Sequence, residues 1–239
     1  MKRIALLLLL VGAAACSNAA PYATTVGVLA PHSTMTVHVA HATLDAYQPA
    51  EGQPRNRFTI AATAAGKSPP PAAPRLHPVG GGIVVDAPNP LSTLLVRVPD
   101  GVVLVVDSRQ GDVNVTDVVG NVRVRAEHGN VKIFLRDDYA QASAATGNLS
   151  VTMGATSWPG TLHFSTGRGD VELWVPQTAA FRVHLHTDDG TLFTDFNLRG
   201  TSAGTAETID GAVNGGGNQG IDIRTSLGSI RLLRLEPQA

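Results

Sequence analysis

Between residues 103 and 133 the chain alternates apolar and polar residues in short runs, and each run ends near a glycine. Gly111, Gly120 and Gly129 stand nine residues apart, and each is followed by a polar residue and then an apolar one. A period of two sends one set of side chains to one face of a strand and the other set to the opposite face. The pattern therefore predicts short strands joined at glycine corners.

The same arrangement repeats along the second half of the chain when each unit is aligned on one glycine. The positions seven and five residues before that glycine, and two and four residues after it, are apolar, with Thr194 as the exception. The position three before it holds only Ser, Ala or Thr. The anchors are Gly111, Gly129, Gly147, Gly169, Gly190 and Gly228, and Gly120 marks a further corner. Most of the positions between are polar.

One such unit cannot bury its apolar side alone, so the units are expected to stack about 4.8 Å apart. The predicted fold class is all-β: a single-chain β-solenoid or β-helix-like stack of units of about 18–21 residues, each with two short strands and a glycine corner. Two stretches interrupt the rhythm. Residues 154–160 predict a loop around Trp158, and residues 198–220 predict about one weaker unit that ends in a glycine run.

The first residues, MKRIALLLLLVGAAAC, have the organisation of an export signal. Lys2 and Arg3 precede an apolar run that is too short to span a membrane. Cys16 is the only cysteine, and its setting resembles the lipobox of bacterial lipoproteins, although Ala13 stands where leucine is usual. We therefore expect lipidation of Cys16. The alternative is an ordinary secretory signal in which Cys16 is incidental.

The sequence predicts four segments. They are a lipoprotein-type signal peptide (1–15), the lipidated cysteine and a short tether (16–33), N-terminal strands with a Pro/Gly-rich insertion (34–90), and the repeat domain (91–239). The insertion, GKSPPPAAPRLHPVGGG at 66–82, is expected to be irregular. Whether residues 34–90 form the first coils of the stack stays open at this stage.

Composition narrows the range of functions. Apolar residues make up 43% of the 239 residues and charged residues 15%, which excludes a disordered chain. Removal of residues 1–15 takes away Lys2 and Arg3, so the formal net charge moves from −1 to −3. Such a charge does not predict a nucleic-acid partner. Aromatic residues make up only 5%, which argues against a strong sugar-stacking platform.

Three histidines raise the question of a metal site. His184 and His186 lie two apart on one strand face, and His163 occupies the same column as His184, where one coil is expected to separate the two residues. Three imidazoles within about 5–7 Å of one another are able to bind zinc or copper. No fourth ligand is evident, so we interpret the histidines as polar residues on a solvent face and predict no metal and no cofactor.

Paired carboxylates are the other chemical candidate. Asp137 and Asp138 are adjacent, as are Asp188 and Asp189. Glycoside hydrolysis needs two carboxyl groups that face each other across a substrate, whereas adjacent residues at a corner point apart. Calcium-binding repeats, phosphate-binding loops and nucleophilic serine motifs are also not indicated.

The repeats resemble a known bacterial family. The segments LLVRVPDGVVLVVDSRQGDVNVTDVVGNVRVRAEHGNVKI, STGRGDVELWVPQTAAFRVHLHTDDGTL and IDIRTSLGSIRLL look like the adhesin-like domain of unknown function that is also called the toast-rack domain. The resemblance covers about residues 91–235 well and 34–90 loosely. It implies an envelope-associated, right-handed β-solenoid-like domain, and it carries over no catalytic residue.

We therefore expect a non-enzymatic cell-envelope lipoprotein whose β-solenoid domain binds a surface protein or glycan. The alternatives are a periplasmic structural or envelope-stress regulatory scaffold, and an enzyme acting on envelope polysaccharide. The expected location is the outer membrane or periplasmic face, reached through the lipid on Cys16, with self-association through the end coils as a further expectation. The expected binding face comprises Arg123, Arg125, Lys132, His163, His184, His186, Arg224 and Arg231, together with an exposed loop at Trp158.

Overall fold

The computed structural model describes residues 23–49, 51–63, 73–87, 89 and 92–236. The predicted signal peptide and Cys16 lie outside the described residues. In the part of the chain that is described, every regular element is a strand. That part contains no helix with the length and apolar character needed to cross a membrane. The predicted all-β class is confirmed.

The strands fall into two compact units, Met1–Val122 and Arg123–Ala239. Unit 1 contains β1 (Ala23–Val28), β2 (Thr34–His41), β3 (Thr43–Tyr47), β4 (Arg57–Thr63), β5 (Arg75–Val79), β6 (Gly82–Asp86), β7 (Thr93–Arg97), β8 (Val103–Gln110) and β9 (Val113–Thr116). Unit 2 contains β10 (Val122–His128), β11 (Val131–Leu135), β12 (Ala140–Thr146), β13 (Leu149–Met153), β14 (Thr161–Arg168), β15 (Val171–Pro176), β16 (Phe181–Asp189), β17 (Leu192–Thr194), β18 (Gly200–Ala203), β19 (Ala206–Val213), β20 (Gly220–Leu227) and β21 (Ile230–Leu235). The end of the expected tether, from Ala23 to Val28, is therefore a strand.

Unit 1 has two sheets, sheet 1A in the order β1-β4-β7-β3-β9 and sheet 1B in the order β8-β2-β6-β5. In sheet 1B, β2 pairs in parallel with β6 and β8, and in sheet 1A, β3 pairs in parallel with β7 and β9. Each two-strand coil thus contributes one strand to each sheet, and residues 34–47 form a coil of their own. The expectation that residues 66–82 are irregular is wrong for β5, which pairs antiparallel with β6. As an edge strand, β5 accommodates Pro78 because an edge position does not require every N–H.

Unit 2 repeats this construction. Sheet 2A has the order β11-β13-β15-β21-β17, and sheet 2B has the order β18-β19-β16-β20-β14-β12-β10. The coil made of β20 and β21 lies between the coil of β14 and β15 and that of β16 and β17, so the coils do not follow chain order. The weaker unit expected at 198–220 is instead the antiparallel hairpin β18–β19, which pairs with β16.

The pairing register follows the glycine offsets. Leu149, Val171 and Ile230 each stand two residues after an anchor, and they pair directly from strand to strand in sheet 2A. All three side chains are buried. Burial of one such aliphatic side chain contributes about 1.5–3 kcal/mol to the stability. The core is made of these aliphatic layers, one for each coil. The predicted β-solenoid-like stack is confirmed.

The backbone at the corners requires glycine, as Gly169 illustrates. Its φ is +147°, and a Cβ there would overlap the carbonyl oxygen of Gly147 on the adjacent coil. Only glycine adopts such a φ readily, and only glycine allows the two backbones to approach this closely. The other corner glycines have similar φ values: Gly111 118°, Gly120 139°, Gly129 140°, Gly147 140°, Gly190 158° and Gly228 148°.

Polar side chains connect successive corners in unit 2. In three of these coils the residue after the anchor glycine accepts a hydrogen bond from the backbone N–H of the equivalent residue in the next coil. The Oδ1 atom of Asn130 lies 3.0 Å from the nitrogen of Asn148, that of Asn148 lies 2.8 Å from the nitrogen of Asp170, and that of Asp170 lies 2.7 Å from the nitrogen of Ser229. This ladder explains why a short polar residue follows each glycine.

Buried threonines connect the same coils from the inside. Thr166, Thr225 and Thr187 donate hydrogen bonds from Oγ1 to the carbonyl oxygens of Gly147 (2.9 Å), Gly169 (3.0 Å) and Gly228 (2.8 Å) respectively. All three stand three residues before an anchor glycine. Ser108 occupies the equivalent position in unit 1, where its buried hydroxyl has no hydrogen-bond partner among the described residues.

Candidate functional site

The outer face of sheet 2B carries a row of alternating histidine and aspartate side chains. Across β14, β20, β16 and β19, the pairing register places His163 beside Asp222, Asp222 beside His184, and His184 beside Asp210. The Nδ1 atom of His184 lies 2.7 Å from Oδ1 of Asp210, and Nδ1 of His163 lies 3.5 Å from Oδ2 of Asp222. The strand register, parallel for β14, β20 and β16 and antiparallel for β16 and β19, thus aligns each imidazole with a carboxylate.

Arg224 joins this row from the next outward position along β20. Its Nε donates to Oδ1 of Asp222 at 2.9 Å, and its Nη2 donates to Oδ2 at 3.1 Å. These hydrogen bonds and the carboxylate charge raise the pKa of Arg224. The guanidinium and carboxylate form a two-point pair, which fixes both side chains on the sheet surface.

A similar alternation occurs within unit 1, on sheet 1B. The Nδ1 atom of His38 lies 2.8 Å from Oδ1 of Asp86, and its Nε2 lies 3.7 Å from Oδ2 of Asp107. The Nε2 atom of His77 lies 3.2 Å from Oδ2 of Asp86. In both units, therefore, the histidines of these rows lie against carboxylates.

The expected proximity of three imidazoles is wrong. His163 and His184 both pair with β20, so two strand spacings separate them, about 9.6 Å, with Asp222 between. The rings of His184 and His186 are stacked, with their centroids 6.3 Å apart. His186 contacts Thr208 through Nδ1 and Asp188 through Nε2. Within the described ranges, no group of three or more His, Cys, Asp or Glu side chains is arranged to hold a metal ion.

A shallow cleft of about 500 Å³ opens over the sheet 2B row, and Asp210 and Asp222 both line it. Glycoside hydrolysis needs one carboxyl group to act as acid and a second to act across the substrate. Both oxygens of Asp222 already accept hydrogen bonds from Arg224, and Asp210 already contacts His184. The arrangement is a paired surface network and does not have the form of an acid and a base that face a substrate.

The remaining residues of the expected binding face do not lie together. Arg123 and Arg125 are exposed on β10 of sheet 2B, on the same sheet as His163. Lys132 and Arg231 belong to β11 and β21, which are strands of sheet 2A. The sequence offsets already separate the two sets: outward positions before the anchor glycine lie in sheet 2B, and those after it lie in sheet 2A. The expected binding face combined positions from both sides of the corner.

Trp158 is not part of an exposed loop, which corrects the expectation for this residue. Its side chain is buried, and its ring centroid lies 5.7 Å from that of Phe181. Its Nε1 donates a hydrogen bond to the carbonyl oxygen of Gly220 at 3.0 Å. The segment folds inwards because a large ring with one polar atom is well satisfied at a buried position that supplies an acceptor.

Sheet 2A presents two rows of side chains on its outer face. The first row runs across the sheet as Lys132, Ser150, Glu172, Arg231 and Phe193. Glu172 is the centre of this row, because its Oε2 accepts a hydrogen bond from Nη1 of Arg231 at 3.0 Å and its Oε1 accepts one from Nε1 of Trp174 at 2.9 Å. The Cζ atom of Arg231 lies 5.9 Å from the ring centroid of Phe193.

The second row of sheet 2A is aromatic and aliphatic. Phe134 pairs with Thr152, Thr152 pairs with Trp174, and Trp174 pairs with Leu233. Phe134 is 37% exposed and Trp174 is half-buried, whereas Leu233 is buried. The two rings are thus presented on one face with a threonine between them.

A groove of about 520 Å³ crosses the ends of β11, β13, β15 and β21, next to this aromatic row. Gly154 contributes no side chain to it, and a Cβ there would overlap the carbonyl oxygen of Arg136. The groove combines apolar and hydrogen-bonding side chains, including Phe134, Arg136, Thr152, Gln177, Thr178 and Glu236. Its volume lies within the range of small-molecule sites, about 300–1,000 Å³.

The sequence contains a signal for the sheet 2A site that a count of aromatic residues does not reveal. Phe134 and Trp174 both stand five residues after an anchor glycine, so the repeat places them in one row. Most residues at the outward-facing offsets are polar, so the overall composition of these offsets does not reveal the two rings. Aromatic residues make up only 5% of the chain. Phe134 and Trp174 nevertheless share one surface, and Phe193 lies on the same sheet.

The sequence profile of the Toastrack DUF4097 family matches residues 102–233, which is more than half of the chain. The chain belongs to the Toastrack family. The Toastrack match begins just before β8 and ends within β21, so it includes both rows of sheet 2A and the row of sheet 2B. Among curated proteins, none matches the chain in sequence.

One solved structure has a similar fold to this Toastrack chain. A "putative cell adhesion protein" from Clostridium sporogenes ATCC 15579 matches with a TM-score of 0.51 and 9% identity, over 89% of this chain and 99% of that one. A "putative adhesin" from Bacteroides fragilis NCTC 9343 matches with a TM-score of 0.31 and 10% identity, over 88% of this chain and 96% of that one. The first likeness concerns the fold alone, and the second is too distant to carry an argument.

Proposed function

We propose that this Toastrack protein is a non-enzymatic, adhesin-like binding module of the bacterial cell envelope. In this proposal residues 1–15 direct export, and a lipid on Cys16 anchors the protein to a membrane. The folded units then present their outer strand faces to a surface protein or glycan. The name of the Clostridium sporogenes protein of similar fold, a cell adhesion protein, supports a role at the cell surface.

The observation that carries the proposal is the outer face of sheet 2A. Parallel pairing holds its side chains in straight rows, and hydrogen bonds from Arg231 and Trp174 to Glu172 fix the centre of that face. A groove with mixed apolar and polar lining adjoins the rows. Such a surface is ordered before any partner arrives, which lowers the entropy cost of binding.

Two observations support a binding role over an enzymatic one. The carboxylates that line the sheet 2B cleft are engaged by Arg224 and His184. The lining of the sheet 2A groove includes one carboxylate, that of Glu236. Acid–base hydrolysis of a glycosidic bond requires two carboxyl groups on opposite sides of the bond.

The direct test is binding of the fluorescently labelled full chain, carrying Cys16→Ser to prevent acylation, to intact bacterial cells. Saturable binding that unlabelled protein displaces is the expected result. Binding that rises linearly with concentration, without displacement, would remove the surface-binding function. The anchor is tested separately with a clickable palmitate analogue in growing cells. We expect labelling of the wild type and none of the Cys16→Ser variant, and an unlabelled wild type would contradict the anchor.

A further inference from the structure

We propose that the outer face of sheet 2A binds a neutral glycan chain, which lies across the strands from Phe134 to Trp174 and extends into the adjoining groove. This inference rests on the surface-binding function proposed above and specifies its ligand. Phe134, Trp174 and the groove lie in unit 2, so the site is complete within one compact part of the chain.

The two aromatic rings provide the apolar part of the site. Sugar rings present C–H bonds on one face, and these bonds pack against aromatic rings in binding sites whose few polar groups set the orientation. Phe134 is exposed to 37%. Trp174 has its one polar atom, Nε1, engaged by Glu172 at 2.9 Å. Because the indole N–H is already satisfied, the ring offers its apolar surface to a ligand.

The spacing of the rings suits two sugar residues with a third between them, because one pyranose unit of a glycan chain is shorter than two strand spacings. Phe134 pairs with Thr152, and Thr152 pairs with Trp174, so the rings are two strand spacings apart, about 9.6 Å. Parallel pairing fixes this distance, since the strands cannot slide without burying polar side chains. Thr152 lies between the rings and offers a hydroxyl group, which both donates and accepts hydrogen bonds.

The groove provides the polar part of the site. Arg136, Gln177, Thr178 and Glu236 line it beside the aromatic row. Guanidinium, amide and carboxylate groups each have two atoms in a fixed plane, a geometry suited to neighbouring hydroxyl groups on a sugar. Next to the rings, Arg231 and Glu172 neutralise each other at 3.0 Å. Arg136 and Glu236 in the groove carry opposite charges, and Lys132 adds one positive charge beside Phe134. No cluster of like charges is present among these residues to select a charged ligand, which is the reason to expect an uncharged chain.

A flat protein partner fits this face less well. Stable protein interfaces bury about 800 Å² on each side around a continuous apolar centre. On sheet 2A the apolar surface is divided, because Thr152 separates the rings and Leu233 is buried. A narrow, flexible chain with alternating apolar faces and hydroxyl groups matches a surface divided in this way.

The test uses the full chain with Cys16→Ser and three neutral probes: cellohexaose, chitohexaose and mannohexaose. Affinities are measured by isothermal titration calorimetry for the parent, Phe134→Ala, Trp174→Ala and the double variant. Phe193→Ala is the matched control, because Phe193 is an exposed aromatic residue on the same face, 51% accessible, but outside the proposed path. Circular dichroism and urea midpoints verify that each variant is folded.

We expect at least one hexasaccharide to bind the parent, with about a tenfold loss for Trp174→Ala or Phe134→Ala and less than about a twofold change for Phe193→Ala. Absence of binding to all three probes, or unchanged affinity in the folded double variant, would overturn the glycan site. The intact-cell assay separates the two proposals. If cells still bind the double variant and the hexasaccharides do not compete, the glycan site fails while the surface-binding function stands. If cells do not bind the parent at all, the surface-binding function itself fails.

Discussion

The indole Nε1 of Trp174 donates a hydrogen bond to Oε1 of Glu172, and the two atoms are 2.9 Å apart. The residues stand two apart on β15, so both side chains leave the same face of sheet 2A. The other oxygen of Glu172 holds Arg231. One carboxylate therefore fixes an aromatic ring and a guanidinium group on a surface where both would otherwise move freely.

We expect Glu172→Ala to release the Trp174 ring, because the acceptor for its N–H is lost. The measurement is quenching of tryptophan fluorescence by acrylamide, in which Glu172→Ala shows a larger quenching constant than the wild type. Trp158 is buried and contributes a nearly constant background. Glu172→Gln keeps an oxygen acceptor and is expected to stay close to the wild type. Equal quenching in the alanine variant and the wild type would contradict a fixed ring.

Gly169→Ala is expected to destabilise the protein by about 2–4 kcal/mol, because alanine at its φ of +147° is strained and the added Cβ overlaps the carbonyl oxygen of Gly147. Gly204 is the matched control, with a φ of +67° and open space within 4 Å of the point where a Cβ would lie. Gly204→Ala should cost about 1 kcal/mol. Urea unfolding midpoints measure both, and similar losses for the two variants would refute the close approach at the corner.

Thr225→Val should cost about 1–2 kcal/mol, because it removes the hydrogen bond to the carbonyl oxygen of Gly169 while keeping the shape of the side chain. Ser108→Ala, at the equivalent position of unit 1, should change stability by less than about 0.5 kcal/mol, since its hydroxyl has no partner to lose among the described residues. Thermal unfolding of the two variants gives the comparison. A larger loss for Ser108→Ala than for Thr225→Val would show that the hydroxyl groups do not act as described.

The two tryptophans are expected to respond differently to truncation. Trp158→Ala leaves a cavity beside Phe181 and removes the donor to the carbonyl oxygen of Gly220, at a cost of about 3–5 kcal/mol. Trp174→Ala removes a half-buried ring from the surface and should cost about 1 kcal/mol. Denaturant titration measures the loss of unfolding free energy in each variant. Equal losses would mean that Trp174 is also part of the core.

The periodic sequence predicts which residues pair, because each coil must put its apolar residues at the same height as those of its neighbour. Leu149 and Val171 stand at equal offsets from their glycines, and they pair. The order of coils does not follow from the pattern, since every coil has the same interface and any neighbour satisfies it. In the structure, β20 lies between β14 and β16, and the β18–β19 hairpin, which precedes β20 along the chain, occupies the other side of β16.

Candidate functional sites are harder to predict than strand pairing, because a site depends on individual side chains and the repeat pattern is shared by every coil. An outward position such as Lys132 is evident from alternation, and its place after Gly129 assigns it to sheet 2A. The pattern does not tell which outward residues act together. Trp158 carries no periodic signal, because its segment departs from the repeat, and the segment turns inwards to Phe181. Phe134 and Trp174 show a signal only when single offsets are compared across units.

The position of β20 and β21 in the middle of unit 2 also sets an order of events during synthesis. These strands follow β14 to β19 along the chain, yet β14 and β15 on one side and β16 and β17 on the other need them as neighbours. These layers cannot close until β20 and β21 have been synthesised. Loss of β20 and β21 would therefore remove an interior layer of unit 2 and not merely an edge.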